Sequence, residues 1–240
     1  GVTVTANGSW ETDVNNNFII YGGNRLFRIS GNFEGAYGFA GFAGQWGSRV
    51  SFFGDNQNIN SGNYSLMRIE GPGTKILQFD HDYTTYQGIH LADGVLDLNG
   101  YSIMLDRQEH STGTSNHYPS MLQENGILRG DGYIYFEEWS MPYTFGAYSF
   151  WGDLGVGLGF ADDTPWDIHY VEFSVKRFGN AAAGGESNSL ANHFEASLDE
   201  IFENIPSALT FTLNYHENDL NGMNEDELHL MFSSDNENWR

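Results

Sequence analysis

The chain has 240 residues, 40% of them hydrophobic and 15% aromatic, which suffices for a buried core and argues against intrinsic disorder. Its 32 acidic and 10 basic residues give a formal net charge of −22, and such a surface repels nucleic acid and anionic membranes. The absence of cysteine excludes disulfides, thiol catalysis and Cys-ligated metals, and no apolar run of about 18 residues predicts a membrane-spanning segment.

The two ends of the chain suggest a piece of a longer protein. The chain starts at Gly1 without a recognisable signal peptide, and it stops at Arg240 directly after a strand-like segment. We therefore expect a mature or partial segment of a larger protein.

The first half is predicted to consist of short strands separated by Gly, Asn and Asp turns. Strands are expected at Val50–Phe53, Tyr64–Glu70, Ile76–Phe79 and Tyr133–Phe136, and helical periodicity is absent. Residues 31–47 are rich in Gly and aromatic residues, which are either buried or form an exposed sugar-binding face. This pattern is typical of a β-solenoid or a β-sandwich, with a repeat too irregular to give a period.

The clearest local signal is Gly88–Leu105. Apolar residues alternate with polar ones on both sides of the Asn-Gly pair at 99–100, which is a strong hairpin signal. Leu96 and Leu98 precede the turn, and Ile103 and Leu105 follow it.

Two patterns in this half resemble a repeat unit of large surface and secreted proteins of Bacteroidota. The first pattern, V-x-F-x-G-x-x-Q-x-I, is matched by Val50, Phe52, Gly54, Gln57 and Ile59. The second, G-x-L-x-L-N-G-x-x-L-x-L, is matched by Gly94, Leu96, Leu98, Asn99, Gly100, Ile103 and Leu105. The resemblance implies right-handed β-helical coils, with Asn99-Gly100 at a coil corner, and export by the type IX secretion route.

The second half is predicted to form an antiparallel β-sandwich. Alternating strands are expected at 169–175, 209–215 and 228–232, next to a Gly-rich strand pair at 152–160. Residues 194–205 have helical spacing, which Pro206 would end, but we expect a strand near Phe194–Leu198 and then a short helical turn over Asp199–Asn204. The predicted division is a β-solenoid over 1–136 and a sandwich module over 137–240.

This half also resembles a module of the same protein class. The residues that match its pattern are Val171, Val175, Arg177, Tyr215, Leu220, Asn221, Gly222, Glu225, Leu228, Leu230, Ser233 and Trp239. Asn192 stands where the pattern has Arg. The resemblance implies no particular activity for the module.

Asp80 and Asp82 are the best candidates for acid–base chemistry. Alternate residues of a strand share a face, and two carboxylates held close together raise the pKa of one of them. No Arg or Lys cluster lies beside them in the sequence, so a structural role is the preferred interpretation.

The loop Glu217–Leu228 partly matches a calcium-binding loop. An EF-hand would need a Glu where Leu228 stands, so a strand-connecting turn is favoured and a weak Ca²⁺ site stays an alternative. His110 and His117 lack a third ligand nearby, and Asn7 and Asn63 begin formal glycosylation sequons. The sequence therefore predicts no catalytic, cofactor-binding or metal-binding residues and no cofactor.

The leading hypothesis is a non-enzymatic structural and adhesive segment of a cell-surface or secreted bacterial protein. Its expected partners are extracellular glycan or protein surfaces, further copies of itself in a filament, and the secretion machinery during export. The alternative is a carbohydrate-binding module or a carbohydrate-active enzyme on a β-helix, for which Trp46 and Trp151 are candidate sugar contacts.

Overall fold

The computed structural model describes residues 3–6, 10–12, 26–35, 49–59, 64, 66–83, 88–105, 121–138, 149–150, 154–160, 172–180, 191–199, 209–220 and 222–227. The prediction of an all-β chain is confirmed, since these residues form nineteen strands and two 3₁₀ turns, Glu217–Leu220 and Glu225–Glu227. The strands are β1 (Thr3–Ala6), β2 (Trp10–Thr12), β3 (Leu26–Ile29), β4 (Phe33–Gly35), β5 (Arg49–Phe52), β6 (Gln57–Ile59), β7 (Leu66–Ile69), β8 (Thr74–Leu77), β9 (His81–Tyr83), β10 (Gly88–Leu91), β11 (Val95–Asp97), β12 (Tyr101–Leu105), β13 (Met121–Gln123), β14 (Ile127–Glu138), β15 (Ser149–Phe150), β16 (Val156–Phe160), β17 (Glu172–Gly179), β18 (Phe194–Asp199) and β19 (Leu209–Leu213).

Six strands form an all-parallel sheet in the order β1-β3-β5-β7-β10-β13. One row of paired residues runs through Thr3, Leu26, Arg49, Leu66 and Gly88, so successive partners are 23, 23, 17 and 22 residues apart. The last pair of strands is offset by 32 residues, as in the pairing of residue 89 with residue 121. Each step adds one strand to the sheet, and the residues between steps carry the chain back.

The return path contributes to a second, ten-stranded sheet. Its order is β2-β4-β6-β8-β11-β14-β17-β18, with β9 and β12 alongside, and the pairs from β2 to β14 are parallel. From β14 onward the sheet is antiparallel, because β17 pairs with β14 and β18 pairs with β17. A separate antiparallel sheet has the order β15-β16-β19.

The core follows from period-two alternation in paired parallel strands, which places the same register positions on the same face. Val50 pairs with Met67 and Phe52 pairs with Ile69, and all four side chains are fully buried. The same cluster of buried residues also contains Ile29, Ile59, Tyr64, Leu77, Ile89, Leu91, Leu96, Leu98, Ile103, Leu105, Met121, Leu128, Ile134, Phe136, Leu154, Val156 and Val175.

The Asn-Gly pair turns the chain between strands that do not pair with each other. Asn99 and Gly100 have φ values of 51° and 86°, and Tyr101 N donates to Leu98 O at 2.9 Å, as in a type I′ turn. β11 pairs with β8 and β14, whereas β12 pairs with β9 and β14. The predicted turn is confirmed, but it makes a corner and not a hairpin, because each strand pairs with strands before and after it in the chain.

The Gly and Gln of the first motif tie one strand connection to the one before it. Gln57, 1% exposed, accepts a hydrogen bond from Gly54 N at 2.6 Å and donates to Ile29 O at 3.0 Å and Gly31 O at 2.6 Å. A Cβ at Gly54 would overlap the carbonyl oxygen of Ser30. The motif is therefore a packing and hydrogen-bonding requirement.

The predicted boundary between residues 136 and 137 falls inside β14. β17 pairs with β14 from Gly130 to Glu138, so hydrogen bonding continues across that boundary, and the two-domain division stays a prediction. The antiparallel strands expected in this half are confirmed at Glu172–Gly179 and Leu209–Leu213, and the strand expected near Phe194 is β18. The strand predicted at 228–232 and the helical turn predicted after residue 199 lie outside the described residues.

Candidate functional site

Asp80, the first predicted acid–base candidate, is exposed and holds a neighbouring strand. Its Oδ1 accepts hydrogen bonds from Ser102 N at 2.7 Å and from Ser102 Oγ at 2.9 Å. Asp82 lies in β9, where its backbone pairs with Met104, and its side chain lies outside the described part. These contacts give Asp80 a structural role, and the acid–base pair stays a prediction.

The predicted calcium loop contains an aspartate that is already engaged. Asp219, 2% exposed, accepts on Oδ2 from Arg177 Nη2 at 2.8 Å and from His216 N at 3.0 Å. Among the residues that the structure describes, no three His, Asp or Glu side chains are grouped so that they could hold a metal ion. The weak Ca²⁺ site stays a prediction, and other candidates fall outside the described residues: Asn7, Trp46, Asn63, His110, His117 and Trp151.

Arg177 is the centre of a buried polar cluster that joins the two halves of the chain. Besides its ion pair with Asp219, its Nη2 donates to Gln123 Oε1 at 2.6 Å and to Asn192 Oδ1 at 3.3 Å. Asn192 Nδ2 in turn donates to Leu128 O at 3.3 Å. Burial lowers the pKa of Arg177 and the nearby Asp219 charge opposes that shift. The cluster fixes the 3₁₀ turn at 217–220 against the end of the parallel strands.

An aromatic row crosses β14, β17 and β18 on their outward side. The Tyr133 and Phe178 ring centroids are 5.3 Å apart, and Phe178 stacks on His193 at 4.1 Å with 10° between the ring planes. Tyr135 meets Tyr133 edge-on, and Lys176 Nζ lies 5.2 Å from the Tyr133 centroid. Because these rings pack against one another, they do not form a flat platform on which a sugar could stack. The row stabilises the antiparallel strands.

The outward face of the six-stranded sheet carries the densest set of ionisable contacts in the described chain. We call it the arginine face, and it consists of Arg28, Arg49, Ser51, Arg68, Glu70 and His90. Four of these residues, Arg28, Ser51, Arg68 and His90, are register partners on the adjacent strands β3, β5, β7 and β10.

Glu70 is the hub of the arginine face. Its Oε1 accepts from Arg28 Nε at 2.9 Å and Ser51 Oγ at 2.5 Å, and its Oε2 accepts from Arg68 Nε at 2.9 Å. Burial would raise the pKa of Glu70, but the hydrogen bonds from Ser51, Arg68 and Arg28 outweigh it, so the pKa lies below its ordinary value. Glu70 is therefore ionised at neutral pH.

His90 extends the network along the sheet. Arg68 Nη1 lies 2.8 Å from His90 Nδ1, and since a guanidinium only donates, Nδ1 is the acceptor and the ring proton belongs on Nε2. His90 Nε2 lies 3.1 Å from Glu124 Oε1, close enough for attraction but not aligned for a hydrogen bond. The Arg28 guanidinium lies 4.4 Å from the centroid of the Phe53 ring, which helps to orient it.

The sequence contained a signal for this face that the motif search did not use. Each polar residue of the row lies between two apolar residues that fill the core: 27–29, 50–52, 67–69 and 89–91. Aligning these triplets places Arg28, Ser51, Arg68 and His90 in one row. The unequal spacing of the triplets conceals that row when a fixed period is sought.

Glu70→Gln is expected to lower the free energy of unfolding by about 1 kcal/mol at pH 7, since charged hydrogen bonds near the surface are partly screened. Because the folded pKa is below the ordinary 4.5, the ionised form stabilises the protein above that pH and its contribution is lost as the pH falls through the lowered value. Urea unfolding at pH 7 and pH 3 should show the difference from wild type narrowing in acid. Glu124→Gln, at a side chain that is 51% exposed, is the control and should change little; an equal Glu70→Gln effect at both pH values would contradict the assignment.

Within the described chain, no helix has the length and the apolar character needed to cross a membrane. Comparisons with protein-family models, with curated proteins and with solved structures found no match to this chain. The function is therefore argued from the residues and contacts given above.

Proposed function

We propose that the chain is a non-enzymatic structural and adhesive segment of a large bacterial cell-surface or secreted protein. The observation that carries the proposal is the register of the two parallel sheets, in which the chain adds one strand to each sheet at every return. Stacked in this way, the backbone hydrogen bonds run along one axis and form a continuous ladder. Such a ladder suits a stiff spacer better than a cleft for catalysis.

The same register supports a β-solenoid for the first half of the chain. Crossover connections between parallel strands of one sheet are right-handed in nearly all proteins, so we infer right-handed coils. In the second half, Val156 of the three-stranded sheet and Val175 of the large sheet belong to the same buried cluster, which supports two sheets packed face to face as a sandwich. β17 and β18 then terminate the parallel ladder at β14.

The charge and the sequence resemblance support an extracellular position. A net charge of −22 keeps neighbouring rods apart and soluble, and the resemblance to Bacteroidota surface proteins implies export by type IX machinery. Glycans, protein surfaces or further copies of the chain are the partners of such a segment.

Stretching a single molecule between its termini should release the chain in several successive steps. Each repeat of a solenoid contacts only its neighbours, so coils can detach in turn. One coil of 22 residues, the step from Leu66 to Gly88, releases roughly 75 Å of extended chain at about 3.4 Å per residue. Force spectroscopy of the segment between two marker domains measures these increments.

The opposing outcomes are equally definite. Release of the whole chain in one step would contradict a stack of separable coils. Cleavage of a polysaccharide by the purified segment, lost in Asp80→Ala or Asp82→Ala but kept in Asp97→Ala, would replace the structural function with a catalytic one.

A further inference from the structure

We propose that the arginine face binds an anionic polysaccharide, one that carries carboxylate or sulfate groups. Three of the ten Lys and Arg residues of the chain, at positions 28, 49 and 68, lie on adjacent strands of this face. The chain as a whole is strongly acidic, so this concentration of positive charge runs against the overall balance. An anion repelled elsewhere is attracted here.

The arginines lie closer to solvent than the carboxylate that they surround. The side chains of Arg28 and Arg68 are 36% and 30% exposed, whereas that of Glu70 is 16% exposed. An approaching anion therefore meets guanidinium groups first, with Glu70 beneath them. The planar guanidinium has five N–H donors, so Arg28 and Arg68 can bind Glu70 and a ligand oxygen together.

Arg49 supplies charge that the network does not neutralise. Within the described residues it has no carboxylate partner, and its Nε is buried without a hydrogen bond. Buried donors are nearly always paired in folded proteins. Arg49 lies two residues from Ser51 on the same side of β5, so its charge is added to that of Arg28 and Arg68.

The geometry favours a polysaccharide over an acidic peptide. Strands are spaced about 4.8 Å apart, so the row over β3, β5, β7 and β10 presents polar groups at intervals comparable to the length of a sugar unit. Between the arginines the face offers a hydroxyl, a carboxylate and an imidazole, which suit sugar hydroxyls. Its six named residues are all polar and form no apolar pocket for a peptide side chain.

Titration of the purified chain with polygalacturonate, dextran sulfate and neutral dextran tests the proposal. We expect the two anionic polymers to bind, to weaken as NaCl is raised, and neutral dextran not to bind. Tighter binding of polygalacturonate assigns carboxylate as the recognised group, and tighter binding of dextran sulfate assigns sulfate. This inference rests on the proposed extracellular role, but the force measurement is independent of it, so the two can fail separately.

Two matched pairs of variants locate the site. Arg49→Gln should weaken binding about tenfold, whereas Arg129→Gln, the same charge change at a 53% exposed side chain beside Asp97, should stay within about twofold. Leu122→Glu adds a charge at an exposed position paired with His90, and Ile127→Glu adds one at an exposed position of the other sheet. The second pair removes no buried group, so it reports on binding even where Arg49→Gln fails to fold.

The proposal fails if the members of each pair weaken binding equally, or if neutral dextran binds as tightly as the anionic polymers. Polyglutamate binding more tightly than either polysaccharide would also overturn it, by assigning an acidic protein surface as the partner. Loss of binding in both Arg49→Gln and Leu122→Glu, with Ile127→Glu unchanged, supports it.

Discussion

Arg177→Met is expected to lower the free energy of unfolding by about 3–5 kcal/mol, which urea unfolding at pH 7 measures. The side chains of Arg177 and Asp219 are 4% and 3% exposed and their ion pair is 2.8 Å long. Removing the guanidinium leaves the Asp219 carboxylate buried, with the His216 amide as its described hydrogen-bond donor. Since burial of an uncompensated charge is costly, this single change should be among the most damaging in the chain.

The exposed pair between Arg129 and Asp97 provides the matched control. Its side chains are 53% and 24% exposed, so Arg129→Met should cost less than about 1 kcal/mol. The double variant Arg177→Met with Asp219→Leu removes both buried charges and should recover most of the lost stability. If Arg177→Met costs no more than Arg129→Met, the cluster does not join the halves in the way described.

Gly73→Ala should destabilise the protein by about 3 kcal/mol, and Gly100→Ala by only about 1–2 kcal/mol. Both glycines have positive φ values, 78° and 86°, so each alanine pays the same backbone penalty. A Cβ at Gly73 would overlap the carbonyl oxygen of Asp55, whereas one at Gly100 meets no atom within 4 Å. The difference between the two variants therefore isolates the close packing of one turn on the next.

Thermal and urea unfolding of the two variants side by side make the comparison. The stacked arrangement requires Gly73→Ala to be the less stable of the two by more than the experimental error. Equal destabilisation would mean that the turn containing Asp55 moves aside without cost, and that the turns are loosely stacked.

The core and the turn were predictable because they depend on local patterns. Val50, Phe52 and Ile103 alternate with polar residues, and Asn99-Gly100 has the chemistry of a turn with two positive φ values. Such features need only a few consecutive residues. The all-β architecture followed from their repetition.

The arginine face and the buried ion pair were not predictable in the same way. Arg28 contacts Glu70 across 42 positions, and Arg177 contacts Asp219 across another 42. Both contacts depend on register, which the sequence does not specify because the strand steps are unequal. A lone charged residue in an acidic chain suggests a solvated surface, and only its neighbours in the fold reveal that it is paired.

The unequal steps of the six-stranded sheet have a practical consequence. The step from Ile89 to Met121 takes 32 residues, against 22 for the step before it, and the strands nevertheless pair in a regular parallel register. Extra residues are therefore accommodated between strands without shifting the ladder. A frame with this tolerance is suited to peptide display, in which a foreign epitope inserted between β12 and β13 would be presented from a rigid support.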